Sequence, residues 1–345
     1  MRVLVTGGAG FIGANLLYAW RERRPDDELR TLDALTYAGH LASIRPLLGA
    51  GGVRFLHGDI RDKTIVEDAM RDVELVVHLA AESHVDRSID APGGFVRTNV
   101  LGTQVLLEAA RKADVGRFHH VSTDEVFGSL PIDRPDLKFT AETRYDPRSP
   151  YSASKAGSDH LVSAFFHTYG LKTTLSNCGN NYGPYQHPEK LIPLAITHLL
   201  RGEKVPVYGD GRNVRDWIHV RDHANAILEI ALRGVPGRTY LVGAGQERSN
   251  LEVVRAVLAA LELGEDRIEF VPDRPGHDRR YALDAQPLER ELGWRPSVTF
   301  ETGIRQTVEW YREQRAWWEP LLTKAAPASP VSNLDGPSGV DPAPR

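Results

Sequence analysis

A glycine-rich turn near the N-terminus constrains the fold of this 345-residue chain more than any other feature. The apolar run Arg2–Thr6 predicts a β-strand, and a helical pattern follows the glycines. Gly8, Gly10 and Gly13 match G-x-G-x-x-G, and Gly7 with Gly10 and Gly13 gives the G-x-x-G-x-x-G variant. Glycines at these positions permit a tight turn and let a pyrophosphate approach the backbone at a helix N-terminus. The turn therefore predicts a dinucleotide site.

An acidic residue at the end of the second predicted strand refines the dinucleotide prediction. The run Glu28–Leu32 reads as a strand, and Asp33 follows it, 20 residues after Gly13. A carboxylate there binds the ribose 2′-hydroxyl and repels a 2′-phosphate, so NAD is favoured over NADP. The alternative is a glycine loop followed by an incidental aspartate.

Strand and helix patterns alternate along the first half of the chain. The alternation predicts an α/β fold, a Rossmann-like doubly wound parallel sheet. Further strands are predicted at Val53–His57, Glu74–Leu79, Arg117–Val121 and Lys172–Asn177, and long helices at 95–113 and 152–169.

The sequence changes character after about residue 178, where turn-rich segments alternate with short helices at about 190–201, 221–233, 249–262 and 301–318. We expect residues 1–178 to form the NAD-binding domain. Residues 179–322 are expected to form a smaller C-terminal substrate-binding lobe that returns in part to the sheet. The tail 323–345 is rich in Pro, Ala, Ser and Gly and is predicted to be disordered.

Bulk properties exclude several classes of protein. With 41% hydrophobic residues, 26% charged residues and a net charge of −4, the chain is not expected to bind nucleic acid or membrane surfaces broadly. No apolar run reaches the ~18 residues of a membrane span. A single cysteine and an N-terminus without a signal peptide predict a cytoplasmic protein. The histidines show no ligand pattern, so no metal is expected, and His119 and His120 are interpreted as structural.

Two short motifs carry reactive side chains. Thr123, Asp124 and Glu125 follow a predicted strand, and ligands bind outside the carboxyl ends of parallel strands. Adjacent carboxylates in different environments can serve as acid and base. Tyr151 and Lys155 lie one helical turn apart, and a nearby ammonium is expected to lower the pKa of the tyrosine. Taken singly, the carboxylates could be a solvated turn, and YxxxK is common by chance.

Together these motifs resemble the extended short-chain dehydrogenase/reductase superfamily of nucleotide-sugar enzymes. Thr123-Asp124-Glu125 is similar to the signature of the dTDP-glucose 4,6-dehydratases. The segments 79–88, 180–185 and 273–281 are also similar to that family, and the likeness covers roughly residues 1–320. Two departures are Phe127, where the family usually has tyrosine, and a short 129–144 loop.

The resemblance implies an NAD-dependent hydro-lyase that converts dTDP-glucose to dTDP-4-keto-6-deoxyglucose. The steps are oxidation at C4, elimination of water across C5–C6 and hydride return to C6. Tyr151, as a phenolate stabilised by Lys155, would take the O4 proton, and Thr123 would orient O4. Glu125 would be the base at C5, and protonated Asp124 the acid for the C6 oxygen. Alternatives are a dehydratase of a UDP- or CDP-hexose, a nucleotide-sugar 4-epimerase, or a binding protein that senses redox state.

The resemblance also implies contacts for the cofactor, the substrate and a second subunit. The predicted NAD-binding residues are Gly7, Gly10, Phe11, Ile12, Gly13, Asp33, Leu35, Thr36, Asp59, Ile60, Leu79, Ala80, Ala81, Ser83, Thr98, Tyr151, Lys155 and Asn181. The predicted contacts to the nucleotide sugar are Ser83, Thr123, Asn180, Lys190, Leu191, Pro206, Tyr208, Arg215, Asn250, Arg274, His277 and Tyr281. A homodimer is expected, with helices 95–113 and 152–169 pairing across a two-fold axis.

Overall fold

A computed structural model describes residues 1–48, 52–273 and 276–323. The predicted disordered tail lies outside the described residues, except for Thr323 at the end of the last helix. The strands are β1 (Arg2–Thr6), β2 (Glu28–Asp33), β3 (Val53–His57), β4 (Leu75–His78), β5 (Arg117–Thr123), β6 (Thr173–Cys178), β7 (Asn180–Tyr182), β8 (Val205–Tyr208), β9 (Val214–His219), β10 (Thr239–Val242), β11 (Glu247–Ser249) and β12 (Ile268–Val271).

The helices alternate with these strands in the first half of the chain and become shorter in the second. They are α1 (Phe11–Arg23), α2 (Leu41–Leu48), α3 (Lys63–Ala69), α4 (Val85–Asp90), α5 (Pro92–Phe95), α6 (Thr103–Lys112), α7 (Pro150–Tyr169), α8 (Leu191–Leu200), α9 (Val220–Arg233), α10 (Asn250–Ala260), α11 (Gln286–Leu292), α12 (Phe300–Glu313) and α13 (Arg315–Thr323). A π-helix (Val96–Gly102) joins α5 to α6, and 3₁₀ turns form at Asp124–Phe127 and Glu265–Arg267.

A parallel sheet organises the described part of the chain, with seven strands in the order β10-β6-β5-β4-β1-β2-β3. The order reverses between β1 and β4, because the chain returns to the other side of β1 after β3. Thr6 pairs with Leu32 on one side and with His78 on the other, so three strands end at the same level. This arrangement confirms the predicted doubly wound α/β fold, and its switch point is where ligands bind in such sheets.

Helices cover both faces of the sheet, which explains why β1 is a continuous apolar run. Val3 and Val5 belong to a buried cluster with Trp20 of α1 and Ile227 of α9. Leu4 points the other way, into a cluster formed with α3, α6 and α7. Both faces of β1 are therefore buried, and its carboxyl end opens into the crevice at the switch point.

A separate apolar cluster forms in the part of the chain after β6, which is called the C-terminal lobe below. β9 pairs antiparallel with β11 and parallel with β7 to form a small sheet. β8 pairs with β12. Tyr182, Trp217 and Trp318 pack with α8, α10 and α12 in one cluster. β10 returns from this part of the chain to the edge of the main sheet beside β6. None of the helices that the structure describes combines the length and apolar character needed to cross a membrane.

Two predicted helices are divided in the structure: residues 301–318 fall into α12 and α13, with Gln314 between them, and residues 95–113 are interrupted by a π-helix. The π-helix between α5 and α6 turns Asn99 inward, where it is 1% exposed. Its Nδ2 donates to Glu82 O (3.0 Å) and Ser154 Oγ (2.8 Å), and its Oδ1 accepts from Glu82 N (2.8 Å). Single-turn π-bulges are frequent at functional sites. Here the hydrogen bonds of Asn99 link the segment after β4 to α7, and these two elements form the two sides of the crevice.

Candidate active site

The glycine turn forms one wall of a cleft of about 340 Å³ at the switch point. Gly7 has a φ of +74°, and a Cβ there would lie 2.7 Å from Ala80 N. A Cβ on Gly13 would lie 2.1 Å from Gly7 O, closer than any side chain tolerates. Only glycine fits this close approach of α1 to the strand ends, which leaves backbone amides at the helix N-terminus facing the cleft.

Asp33 lies at the end of β2, where the sequence predicts it, and is 8% exposed. Its Oδ2 accepts from Ala9 N (2.9 Å) and its Oδ1 from Leu35 N (2.8 Å), and burial raises its pKa. A carboxylate oxygen has two lone pairs, so a ribose hydroxyl can still donate to it. The glycine turn and this fixed carboxylate fit the pyrophosphate and the ribose of NAD.

The cleft brings together all of the predicted NAD-binding residues except Leu35. Leu35 has a φ of 51° and packs its side chain against the apolar cluster beneath α1. Sequence reasoning missed several residues that also line the cleft. Among them Glu82 follows β4, and Glu189 pairs with Arg87 at 3.1 Å. Glu82 lies within the segment 79–88 and Glu189 directly precedes Lys190, so the sequence signals near both could have indicated their positions.

The paired carboxylates stand at the end of β5 in different environments. Thr123 caps the 3₁₀ turn through Oγ1, which accepts from Glu125 N (3.3 Å) and donates to Asp124 Oδ1 (3.4 Å). Asp124 is 2% exposed, and its Oδ2 has no hydrogen-bond partner among the described residues. Burial, and after it the charge of Glu125, raises the pKa of Asp124 well above its usual range. Asp124 is thus suited to donate a proton, while half-buried Glu125 faces the same cleft.

Tyr151 enters the cleft at the first turn of α7. Ser149 caps this helix by accepting from Ser152 N (3.0 Å). Burial, followed by the charge of Glu125, raises the pKa of Tyr151 well above its usual range, and a hydrogen bond with Thr123 acts in the opposite direction. The expected lowering of this pKa by Lys155 therefore does not dominate. The Lys155 ammonium points instead to the strand behind the tyrosine, where Nζ donates to Val121 O (2.8 Å).

The predicted sugar-nucleotide residues divide into an inner and an outer group. Ser83, Thr123, Asn180 and Lys190 line the cleft, and Lys190 Nζ donates to Ser83 O (3.0 Å). Beyond the carboxylates, the Arg215 guanidinium lies over the Tyr281 ring, 4.2 Å from its centroid.

Burial and the nearby charge of Glu125 raise the pKa of Tyr281. Arg215 and Tyr281 therefore stand next to the carboxylate pair, although they are outside the cleft lining.

The residues of the outer group follow β6 in the chain and are not part of the cleft lining. Tyr208 and His277 meet edge to face with ring centroids 6.4 Å apart, and His277 Nδ1 is 2.6 Å from Asp273 Oδ1. Leu191, Pro206 and Asn250 begin or belong to α8, β8 and α10 respectively. Arg274, predicted to bind phosphate, lies outside the described residues.

Fold and site together define a class of enzyme. An open parallel sheet, a glycine turn fitted to a dinucleotide and a Tyr–Lys pair facing it are the features of the extended short-chain dehydrogenases/reductases. The carboxylate pair lies beside the tyrosine in the same cleft.

Comparison with known proteins agrees with this class. The GDP-mannose 4,6 dehydratase family model matches residues 4–307. A dTDP-glucose 4,6-dehydratase of Mycobacterium tuberculosis is 51% identical over 322 residues, which cover 93% of this chain and 96% of the relative. A crystal structure of dTDP-glucose 4,6-dehydratase from Streptomyces venezuelae with NAD and TYD bound is similar with a TM-score of 0.89, at 50% identity, covering 93% of this chain and 100% of that one. The chain belongs to the dTDP-glucose 4,6-dehydratase family.

Related folds carry other reactions. The UDP-glucose 4-epimerase of Thermus thermophilus, solved in complex with NAD, has a TM-score of 0.84 at 34% identity and covers 91% of this chain and 100% of its own. The backbone fold does not separate dehydratases from epimerases, so the reaction has to be argued from side chains.

Replacement of Gly13 by alanine tests the fit of the dinucleotide to the glycine turn. Because the new Cβ would meet the Gly7 carbonyl at 2.1 Å, we expect Gly13→Ala to lose NAD binding, measured by isothermal titration calorimetry. Gly94→Ala is the matched control, since its Cβ would meet nothing within 4 Å. Equal NAD affinity in Gly13→Ala and the unchanged protein would contradict this account of the turn.

Proposed function

We propose that this protein catalyses the NAD-dependent dehydration of dTDP-glucose to dTDP-4-keto-6-deoxyglucose. The observation that carries the proposal is the placement of Asp124 and Glu125 in one cleft with Tyr151, at different depths. Asp124 is buried with a raised pKa, and Glu125 is open to the cleft. An acid and a base beside a redox site are what elimination of water next to a new ketone requires. The relatives' activity supports the same reaction.

The chain's residues would divide the chemistry as follows. Bound NAD supplies hydride acceptance from C4 and hydride return to C6, so it is needed but not consumed. Tyr151 takes the O4 proton as a phenolate, which the Lys155 ammonium stabilises against the burial that raises the pKa of Tyr151, while Thr123 holds the O4 oxygen. Once C4 is a ketone, the C5 proton is acidic enough for Glu125 to remove. Asp124 protonates the departing C6 oxygen, and Glu125 returns a proton to C5. Each of these proton transfers is worth about 10²–10⁴-fold in rate.

The carboxylate pair also bears on the alternative reactions. A 4-epimerase needs the tyrosine, the lysine and a hydroxyl residue, but it has no use for an acid and a base beside C5 and C6. A redox sensor without activity would need none of these residues. Dehydration of another nucleotide sugar, a UDP- or CDP-hexose, would use the same site, because the carboxylates act on the hexose and not on the base.

The direct test is incubation of the purified protein with dTDP-glucose and NAD, without added reductant. We expect loss of one water by mass, the alkaline absorbance of a 4-keto-6-deoxy sugar, and no net NADH. UDP-glucose and CDP-glucose are the matched substrates, and turnover of one of these alone would reassign the nucleotide. Epimerisation without loss of water would contradict the role of Asp124 and Glu125.

Two substitutions separate the oxidation from the elimination. Tyr151→Phe removes the base for O4, so no NADH should form when dTDP-glucose is bound. Glu125→Gln keeps that base and loses the base at C5, so NADH should appear and persist while product formation falls by about 10²–10⁴-fold. Single-turnover absorbance measures both. Equal loss of oxidation and elimination in Glu125→Gln would remove it from the C5 step.

We also propose a homodimer formed through the π-helix and α7. Val96 and Leu101 on the π-helix are 55% and 46% exposed, and Tyr169 at the end of α7 is 54% exposed. Large apolar side chains this exposed on neighbouring elements are typical of an interaction surface.

The cytoplasmic location inferred from the single cysteine stays a prediction, which cell fractionation tests.

A charge on the proposed dimer surface should separate the subunits. We expect Leu101→Arg to give the mass of one chain by multi-angle light scattering where the unchanged protein gives that of two. Val235→Arg is the control, because Val235 is equally exposed, at 49%, and lies outside this surface. Dimers that persist in Leu101→Arg, or an unchanged protein that is already monomeric, would overturn the proposal.

A further inference from the structure

Behind Tyr151, the Lys155 side chain is buried in the interface between α7 and β5. Lys155 is 4% exposed, and burial lowers its pKa. An ammonium group has three N–H donors. One of them is satisfied by Val121 O at 2.8 Å, and Nζ lies 3.4 Å from His120 Nε2. If Lys155 is to act as a cation, something close to it has to offset the cost of burying its charge.

Asp159 lies one helical turn beyond Lys155 on the same face of α7, and it is 2% exposed. Its Oδ2 accepts from Ser122 Oγ (2.8 Å) and Tyr145 OH (3.0 Å). Burial raises the pKa of Asp159 to about 6, so the carboxyl group is ionised on the alkaline side of that value. Hydrogen bonds from neutral donors stabilise this anion, and a nearby cation stabilises it further.

One atom of the His120 ring, Nε2, lies near both groups. Its Nε2 lies 3.2 Å from Asp159 Oδ1 and 3.4 Å from Lys155 Nζ. Burial lowers the pKa of His120 well below its usual range, so the ring is neutral. A neutral imidazole nitrogen can donate to the carboxylate or accept from the ammonium, according to its tautomer. The sequence gives His120 a structural interpretation, and the structure places it between two opposite charges.

Several other titratable groups lie around Lys155, on the strands, turns and loops that pack against it. Burial lowers the pKa of His78 and raises that of the Cys178 thiol, so these two groups carry no charge at neutral pH, and it raises the pKa of Asp124 well above its usual range. The charge of Glu125 acts on Tyr151 and Tyr281. The titratable groups in this region are thus His78 on β4, Cys178 on β6, Asp124 and Glu125 in the 3₁₀ turn, Tyr145 in the following loop and Tyr151 on α7.

We propose that Asp159 is a positioning residue for the oxidation step, its carboxylate acting across the His120 ring to keep Lys155 in the ammonium form next to Tyr151. The inference rests on the proposed function, because it concerns the base that oxidises the sugar. Loss of the Asp159 charge leaves Lys155 buried without a counter-ion, and the lysine then releases its proton at lower pH. An opposite charge within about 4–6 Å shifts a pKa by about 1–3 units.

The test isolates the oxidation by using Asp124→Asn, in which the acid for the elimination can no longer titrate. Stopped-flow absorbance of NADH with dTDP-glucose is recorded across pH for Asp124→Asn and for Asp124→Asn with Asp159→Asn. We expect the loss of the oxidation rate on the alkaline side to begin about 1–3 pH units lower in the double variant. Asparagine is close in shape to aspartate and can still accept from Ser122 and Tyr145.

Tyr145→Phe in the Asp124→Asn background is the matched control. It removes one hydrogen bond to Asp159 and keeps the carboxylate charge, so the alkaline limb should not move. An unmoved limb in Asp159→Asn, however far the rate falls, would overturn the inference. An equal shift in Tyr145→Phe would also overturn it, because it would show that the geometry of the network matters and its charge does not.

Two further arms keep the experiment decisive. Asp159→Ser removes the same charge with a smaller side chain, so it provides the measurement if Asp159→Asn does not fold, and the same shift is expected. Absence of NADH in Asp124→Asn and in the unchanged protein alike would contradict the proposed function itself. NADH formation with an identical pH profile in all variants would support the proposed function and contradict the role of Asp159 in it.

Discussion

Packing of α7 against β5 is the interaction on which the candidate site depends. Tyr151, Lys155 and Asp159 succeed each other at intervals of one helical turn, so a polar stripe of the helix faces the sheet. The stripe can be buried because atoms of β5 form hydrogen bonds with it, including Val121 O and Ser122 Oγ. Without these hydrogen bonds, burying three ionisable side chains would cost too much free energy, because each of them loses its contacts with water. The same packing fixes the distance between the tyrosine and the carboxylates at the strand end.

Much of the fold could be predicted because its signals are local. β1, the glycine turn and Asp33 follow each other in sequence, and a parallel sheet aligns strand ends whatever their order. The division of helix 95–113 could not be predicted. One extra residue in a π-turn leaves the apolar pattern almost unchanged, and the inward turn of Asn99 depends on partners at Glu82 and Ser154. The sequence suggests proximity of Tyr151 to Lys155, but the pKa of each depends on burial, which the sequence does not report.

Phe127 illustrates how a departure from a family pattern is accommodated. Its ring packs against Phe139 at 5.1 Å and Tyr145 at 5.2 Å, within a small apolar cluster under the 129–144 loop. That loop is tied to the C-terminal lobe by Arg280, which pairs with Glu247 at 2.7 Å and donates to backbone carbonyls of the loop. A phenyl ring suffices at position 127 because its neighbours are aromatic and apolar.

The segment after Asp33 has a consequence for the timing of the reaction. Thr36, Ala38 and Gly39 line the cleft, Gly39 approaches the Asp33 carboxylate closely, and His40 N donates to Ala9 O (2.9 Å) in the glycine turn. This segment is therefore fastened across the dinucleotide end of the cleft. A reaction that restores NAD in place does not require the cofactor to leave, so this segment need not open between turnovers, and only the nucleotide sugar has to exchange.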